Sequence, residues 1–219
     1  MELVKSGAPI VGVSSNEGVV LAANRTFENR LEDPEPFRKI FKLDEHIGVA
    51  IAGLSSDARV LIRRARVFCQ RSRLLYDEAI DIGALTRQIG DLVQVNTQHV
   101  KFRPFAVGMI LAGVDETGPS IFYTDPSGKC RRYKAKVEGG EREEAVSFLE
   151  VRYSDSLGLS EAVSLAVDAV KIASRGEVKL RNLKLAVVST GNEVFRRLER
   201  LEIESYMGKE DLGEKPDID

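Results

Sequence analysis

Ile47-Gly48-Val49-Ala50-Ile51-Ala52-Gly53-Leu54-Ser55-Ser56-Asp57-Ala58-Arg59 is a stretch in which one periodicity gives way to another. Ile47–Ala52 is small and apolar without interruption, which fits a buried strand closed by Gly53. From Ser56 the spacing changes. Ser56 can cap a helix and Asp57 suits its first turn. Ala58, Leu61, Ile62, Ala65, Phe68 and Cys69 then recur at the i, i+3, i+4 interval that draws one apolar stripe. Arg59, Arg63, Arg64, Arg66, Arg71 and Arg73 fill the other positions. The strand just before, Ile40–Leu43, pairs with Ile47–Ala52 across Asp44-Glu45, so a hairpin feeds an amphipathic helix.

The pattern continues on both sides. Pro9–Val13 and Val19–Ala23 flank an Asn16-Glu17-Gly18 turn and read as a further hairpin. A second helix carries Ile82, Leu85, Ile89, Leu92 and Val93 on one stripe. Phe105–Ala112, Ser120–Tyr123 and Lys129–Val137 read as strands, separated by turns at Asp115–Gly118 and Asp125–Gly128. Two more helices follow, Glu141–Tyr153 and one opening at a Ser160 cap. A last strand pair, Lys184–Ser189 and Val194–Arg197, comes next. Strands in runs alternating with paired helices argue for an α+β fold, with two sheets stacked between two helix pairs. Residues 1–207 read as a single domain. Residues 208–219 form an acidic stretch of low apolar content, expected to be a disordered tail.

The 219 residues carry 32 Lys+Arg against 34 Asp+Glu, a formal charge of −2, which is not the composition of a polybasic nucleic-acid protein. Two cysteines exclude a disulfide framework and suit a reducing cytoplasm. Cys69, Cys130, His46 and His99 lack the paired short spacing of a zinc site, so no metal or cofactor is expected. No apolar run approaches the roughly 20 residues that span a bilayer, so no membrane partner is expected either.

Several fragments, in order, resemble the 20S proteasome family, and within it the archaeal α-type subunits. They are Glu17-Gly18-Val19-Val20-Leu21-Ala22, Arg38-Lys39-Ile40-Phe41-Lys42-Leu43-Asp44-Glu45-His46, and Ala52-Gly53-Leu54-Ser55-Ser56-Asp57-Ala58-Arg59. Thr97-Gln98, Arg103-Pro104-Phe105, Ala112-Gly113-Val114-Asp115, Thr124-Asp125-Pro126-Ser127-Gly128 and Tyr133-Lys134-Ala135 complete the set. The resemblance implies a four-layer αββα sandwich of the Ntn-hydrolase type. Catalytic members of that family attack with an N-terminal threonine whose own amine is the base, tuned by an aspartate and a lysine. The resemblance puts Ala8 at the threonine, Asn24 at the aspartate and Lys39 at the lysine. Alanine has no hydroxyl, so no catalytic residue is expected. Ser6 is a substitute nucleophile only if the residues before it were removed.

The α-type resemblance gives Lys39 another role. There the matching lysine meets the terminal carboxylate of an activator ATPase, in a pocket lined by the strand end that Gly53 and Leu54 match. It implies a non-catalytic ring subunit with three partners: other copies of itself, β-type subunits and the activator. Unfolded polypeptide is the substrate of the whole assembly, and the compartment is the cytoplasm. The helix 57–73 is expected at a subunit contact. The gate segment that precedes the matched region in α-type members has no counterpart before Val4, so a ring of this chain is expected to lack a self-closing gate. The alternatives are an independent Ntn-fold hydrolase with a replaced nucleophile and a stand-alone binding protein.

Overall fold

The computed structural model describes residues 4, 7–25, 31, 38–176 and 178–208. The first hairpin is β1 (Ile10–Ser15) and β2 (Gly18–Asn24), joined by a two-residue turn that pairs Ser15 with Gly18. The second is β3 (Ile40–Asp44) and β4 (Ile47–Gly53). Helices α1 (Ser55–Tyr76) and α2 (Ile82–Gln98) follow, then strands β5 (Val107–Asp115), β6 (Gly118–Thr124), β7 (Cys130–Tyr133) and β8 (Ala135–Glu138). The chain continues through α3 (Arg142–Arg152), α4 (Leu159–Ala173), β9 (Leu183–Ser189), β10 (Arg196–Arg197) and α5 (Arg200–Ser205).

The strands make two five-stranded antiparallel sheets, in the orders β10-β9-β2-β1-β8 and β3-β4-β5-β6-β7. Three apolar clusters lie between four layers. Val49, Ile51, Leu61, Ile62, Leu85, Ile89 and Leu111 fill the space between α1/α2 and the second sheet. Ile10, Leu21, Ala50, Ile110, Ile121 and Val188 fill the space between the sheets. Val11, Val20, Val163, Val167, Val170 and Leu185 fill the space between the first sheet and α3/α4. This is the αββα arrangement expected from the periodicity. Gly12 marks how closely the sheets approach, since a Cβ there would lie 2.7 Å from Ile110 Cγ2.

Four local expectations are corrected. Lys129–Val137 is not one strand: β7 pairs with β6 in one sheet and β8 with β1 in the other, with Lys134 at the step between them. No glycine or proline marks the step, so the apolar pattern could not reveal it. The first helix opens at Ser55 with Leu54 in the cap position and no side-chain cap, so Ser56 lies inside it. Helix α4 likewise has Gly158, not Ser160, in the cap position. Its first amide is satisfied from far away: Leu159 N–H donates to Glu17 Oε2 at 2.7 Å. The last strand pair is shorter than expected, because only Arg196–Arg197 pairs with β9. Of the acidic stretch 208–219, all but Gly208 lies outside the described residues.

Candidate functional site

Lys39 immediately precedes β3, and its carbonyl takes the Ile51 N–H at 3.0 Å. That pairing sets Lys39 opposite the end of β4, so Lys39, Gly53 and Leu54 gather at one end of the second sheet. The chain leaves β4 through Gly53, whose φ of 109° is accessible to glycine and strained for other residues. Leu54 then donates its N–H to the Ala106 carbonyl at 2.8 Å and starts α1. Its side chain is 38% exposed, an apolar group open to a partner.

The Lys39 ammonium turns inward and donates to the Ala8 carbonyl at 2.7 Å. The lysine therefore reaches the backbone of the residue that the resemblance sets at the threonine position. Ala8 offers only a methyl group. Among the described residues, no carboxylate lies within ion-pair distance of this ammonium. Burial without a counter-charge pushes its pKa down to about 8. Two of the three N–H donors remain for another acceptor. Asn24, which the resemblance sets at the aspartate position, is buried and its amide donates to Ser174 Oγ at 2.9 Å, tying the end of β2 to the end of α4. Ser6 lies outside the described residues.

The depressed pKa makes a stability prediction. Below pH 8 both folded and unfolded chains hold the Lys39 proton, and the folded state carries the full desolvation cost. Between about 8 and 10.4 the unfolded chain binds the extra proton, so stability rises with pH. Lys39→Met removes the ammonium and keeps the stem. We expect it to stabilise the isolated chain by about 1–2 kcal/mol at pH 7, the desolvation gain less one hydrogen bond. The gain should vanish at pH 10.5. Urea denaturation at the two pH values measures it; an equal effect at both would show that the lysine is not held charged in a dry site.

One feature of this end carries no local sequence signal. Asp57, on the first turn of α1, is buried and holds the loop before β5. Its carboxylate accepts from Arg103 Nη1 and Nη2, both at 2.7 Å, and from the Ala106 N–H at 2.8 Å. The same Ala106 gives its carbonyl to Leu54, so Asp57 and Leu54 lock both polar groups of one residue. The Arg103 bonds, with the Ala106 amide assisting, hold the Asp57 carboxyl below the usual carboxylate range despite its burial. Arg103-Pro104-Phe105 is legible as a motif, but its partner lies 46 residues away.

Neither cysteine is poised as a nucleophile. Cys69 is buried and its thiol is pushed up to about 12, chiefly by desolvation. The Cys130 thiol is also raised by burial. A cavity of 1060 Å³ lined by His46, Arg73, Tyr76 and Asp115 lies at the far end of α1, away from Lys39. Among the described residues no group of His, Cys, Asp and Glu is placed to hold a metal ion, and no helix is long and apolar enough to cross a membrane.

Comparison with known proteins converges on one family. The family model described as "Proteasome subunit" matches residues 4–188. A "Proteasome subunit alpha" of Methanopyrus kandleri is 43% identical over 218 residues, covering 97% of this chain and 88% of that protein. Those of Methanothermobacter thermautotrophicus and Pyrococcus horikoshii are 39% and 40% identical, covering 94% and 95% of this chain and 83% and 79% of their own lengths. A two-sheet sandwich with helices on both outer faces, a lysine turned to the backbone of Ala8 and matches across nearly the whole length agree: the chain belongs to the proteasome subunit family.

Proposed function

We propose that this protein is a non-catalytic α-type subunit that scaffolds a ring of a self-compartmentalising cytoplasmic protease. It stacks on a β-type ring and docks an activator through the pocket at Lys39, Gly53 and Leu54. Unfolded polypeptide passes through and is cut by threonines on other chains. The observation that carries the docking reading is the Lys39 ammonium itself. It is desolvated, it lacks a carboxylate partner among the described residues, and it has donors to spare. A carboxylate arriving from another chain would recover a charge-assisted hydrogen bond that the folded chain leaves unmade. Exposed Leu54 beside it supplies apolar contact for the residues preceding such a carboxylate. Alanine at position 8 supports the non-catalytic part, because no hydroxyl is present to attack a peptide bond.

The test is co-expression with an archaeal β-type subunit, native mass measurement, peptidase assay with a reporter peptide, and binding of a short peptide ending in a free carboxylate. A ring-sized complex that hydrolyses a reporter peptide and binds the carboxylate peptide is expected. Lys39→Met should leave assembly intact and weaken peptide binding at least about tenfold, the loss of one charge-assisted bond. A monomer at micromolar concentration with the β partner present would overturn the scaffold reading. Peptide affinity undiminished in Lys39→Met would overturn the docking reading alone. Labelling of Ser6 by a covalent hydrolase probe would turn the assignment to an independent hydrolase.

A further inference from the structure

Strands β7 and β8 end their two sheets, and the chain passes from one to the other through Lys134. Within its sheet β7 pairs with β6, with Tyr123 opposite Arg131 and Phe122 opposite Arg132. Asp125 donates its N–H to the Lys129 carbonyl at 3.2 Å, and hydrogen-bonded pairs alternate along an antiparallel ladder. Arg131 and Tyr133 therefore turn their backbone groups toward β6, whereas Cys130 and Arg132 turn theirs to the open edge. Among the described residues no strand covers that edge, so it is a template for a further strand.

The edge is also basic. Lys129, Arg131, Arg132 and Lys134 are all exposed. Lys134 meets Asp155 in an exposed pair, and Lys129, Arg131 and Arg132 form no ion pair among the described residues. Like charges at this density keep the edge from pairing with the same edge of a second copy. They favour a strand of opposite charge. Beside the Lys134 end lies a cavity of 360 Å³. Tyr133, Val146, Leu149 and Tyr153 give it an apolar wall, and Lys134, Lys136 and Glu150 bring polar groups to it. Tyr133 and Lys134 belong to both features, so a segment running along β7 meets the cavity at its end.

We propose that the β7 edge and this cavity bind an extended acidic segment of a partner chain, which adds to the sheet as one further strand and drops an apolar side chain into the cavity. Pairing through Cys130 and Arg132 supplies backbone hydrogen bonds, and the cavity supplies selectivity. Arg131 and Arg132 are sequence neighbours in a strand, so they project from opposite faces of the sheet. Two adjacent acids on the added strand then meet one guanidinium on each face, as cross-strand pairs of opposite charge. A nucleic acid would use the same cations and leave the open backbone groups unpaired. Its bases would also lack a stacking platform, because Tyr133, the aromatic residue of the strand, is half-buried and packs edge-on against Tyr123. The surface does not involve Lys39, so the proposal stands apart from the activator reading.

The test titrates the full chain into a fluorescein-labelled peptide, Thr-Glu-Glu-Thr-Glu-Glu-Thr-Phe amide, and reads fluorescence anisotropy at low ionic strength. Binding is expected with a dissociation constant of about 10 μM. Arg131→Glu/Arg132→Glu changes two exposed side chains and should weaken binding about tenfold or more. Threonine in place of the peptide's phenylalanine should weaken it about threefold or more. Two further peptides carry N-methyl groups on one or the other alternate set of amides, with the charge unchanged. One should lose about tenfold and the other stay within about twofold, because only one edge of an added strand faces β7. These peptide controls keep the test independent of how the variant folds. No binding at about 100 μM, equal effects of the two methylated peptides, or an affinity unchanged in the double variant would overturn the proposal. So would tighter binding of a single-stranded oligonucleotide of the same charge, which would turn the edge into a nucleic-acid surface.

Discussion

Gly53→Val should cost about 4 kcal/mol of stability, and Gly53→Ala nearly as much, because the first atom added is the offending one. A Cβ at Gly53 would lie 2.3 Å from the Ala106 carbonyl oxygen and 3.1 Å from Val107 Cα, on a backbone whose φ of 109° already disfavours any side chain. The oxygen it strikes accepts the Leu54 N–H that starts α1. Relief by moving Ala106 away therefore loosens the helix start and the β4–β5 pairing together, since Gly53 pairs directly with Val107. Lys39 shares the consequence, because its carbonyl is fixed by Ile51 two residues before the glycine. Chemical denaturation measures the loss, and a Gly53→Ala variant within about 1 kcal/mol of the parent would show that the turn relaxes freely.

That glycine also shows what the sequence makes legible. Gly53 closes the strand run and precedes the change of period, so its place at the strand–helix junction follows from patterning alone. The two hairpins, the four long helices and their buried stripes are legible for the same reason: each is a local repeat of two or of three to four residues. What escapes is set by partners remote in sequence. Glu17 takes the first amide of α4 from 142 residues away, so a Ser160 cap looked adequate and was not used. Lys134 carries the chain from one sheet to the other within the polar–apolar alternation of Arg132–Val137, and alternation is the same whichever sheet receives the strand. The candidate site divides likewise. Lys39, Gly53 and Leu54 are adjacent to legible elements, and the resemblance singles them out. The turn of the Lys39 ammonium onto Ala8 depends on packing 31 residues away and has no signature in either segment.

The clamp at Asp57 is the other long-range feature, and removing it should be the second large perturbation. Asp57→Ala deletes three acceptor contacts: two from Arg103 and one from the Ala106 N–H. Arg103 is exposed enough to return to water. The Ala106 amide is left without its acceptor beside the start of β5, so most of the cost falls there and on the lost charge-assisted bonds, about 2–3 kcal/mol. The pH dependence fixes the cause. Asp57 has a folded-state pKa below its ordinary value, so it contributes stability above the unfolded pKa of about 4 and loses it as pH falls through the lower, folded one. The difference between parent and Asp57→Ala should therefore be complete at pH 7 and shrink progressively below about pH 4. Asp57→Asn separates charge from hydrogen bonding: its amide oxygen still accepts from Ala106 but cannot take both Arg103 bonds as an anion does. It should recover part of the loss at pH 7. If instead Asp57→Asn equals the parent, the guanidinium pairing contributes nothing, and the clamp is the Ala106 bond alone.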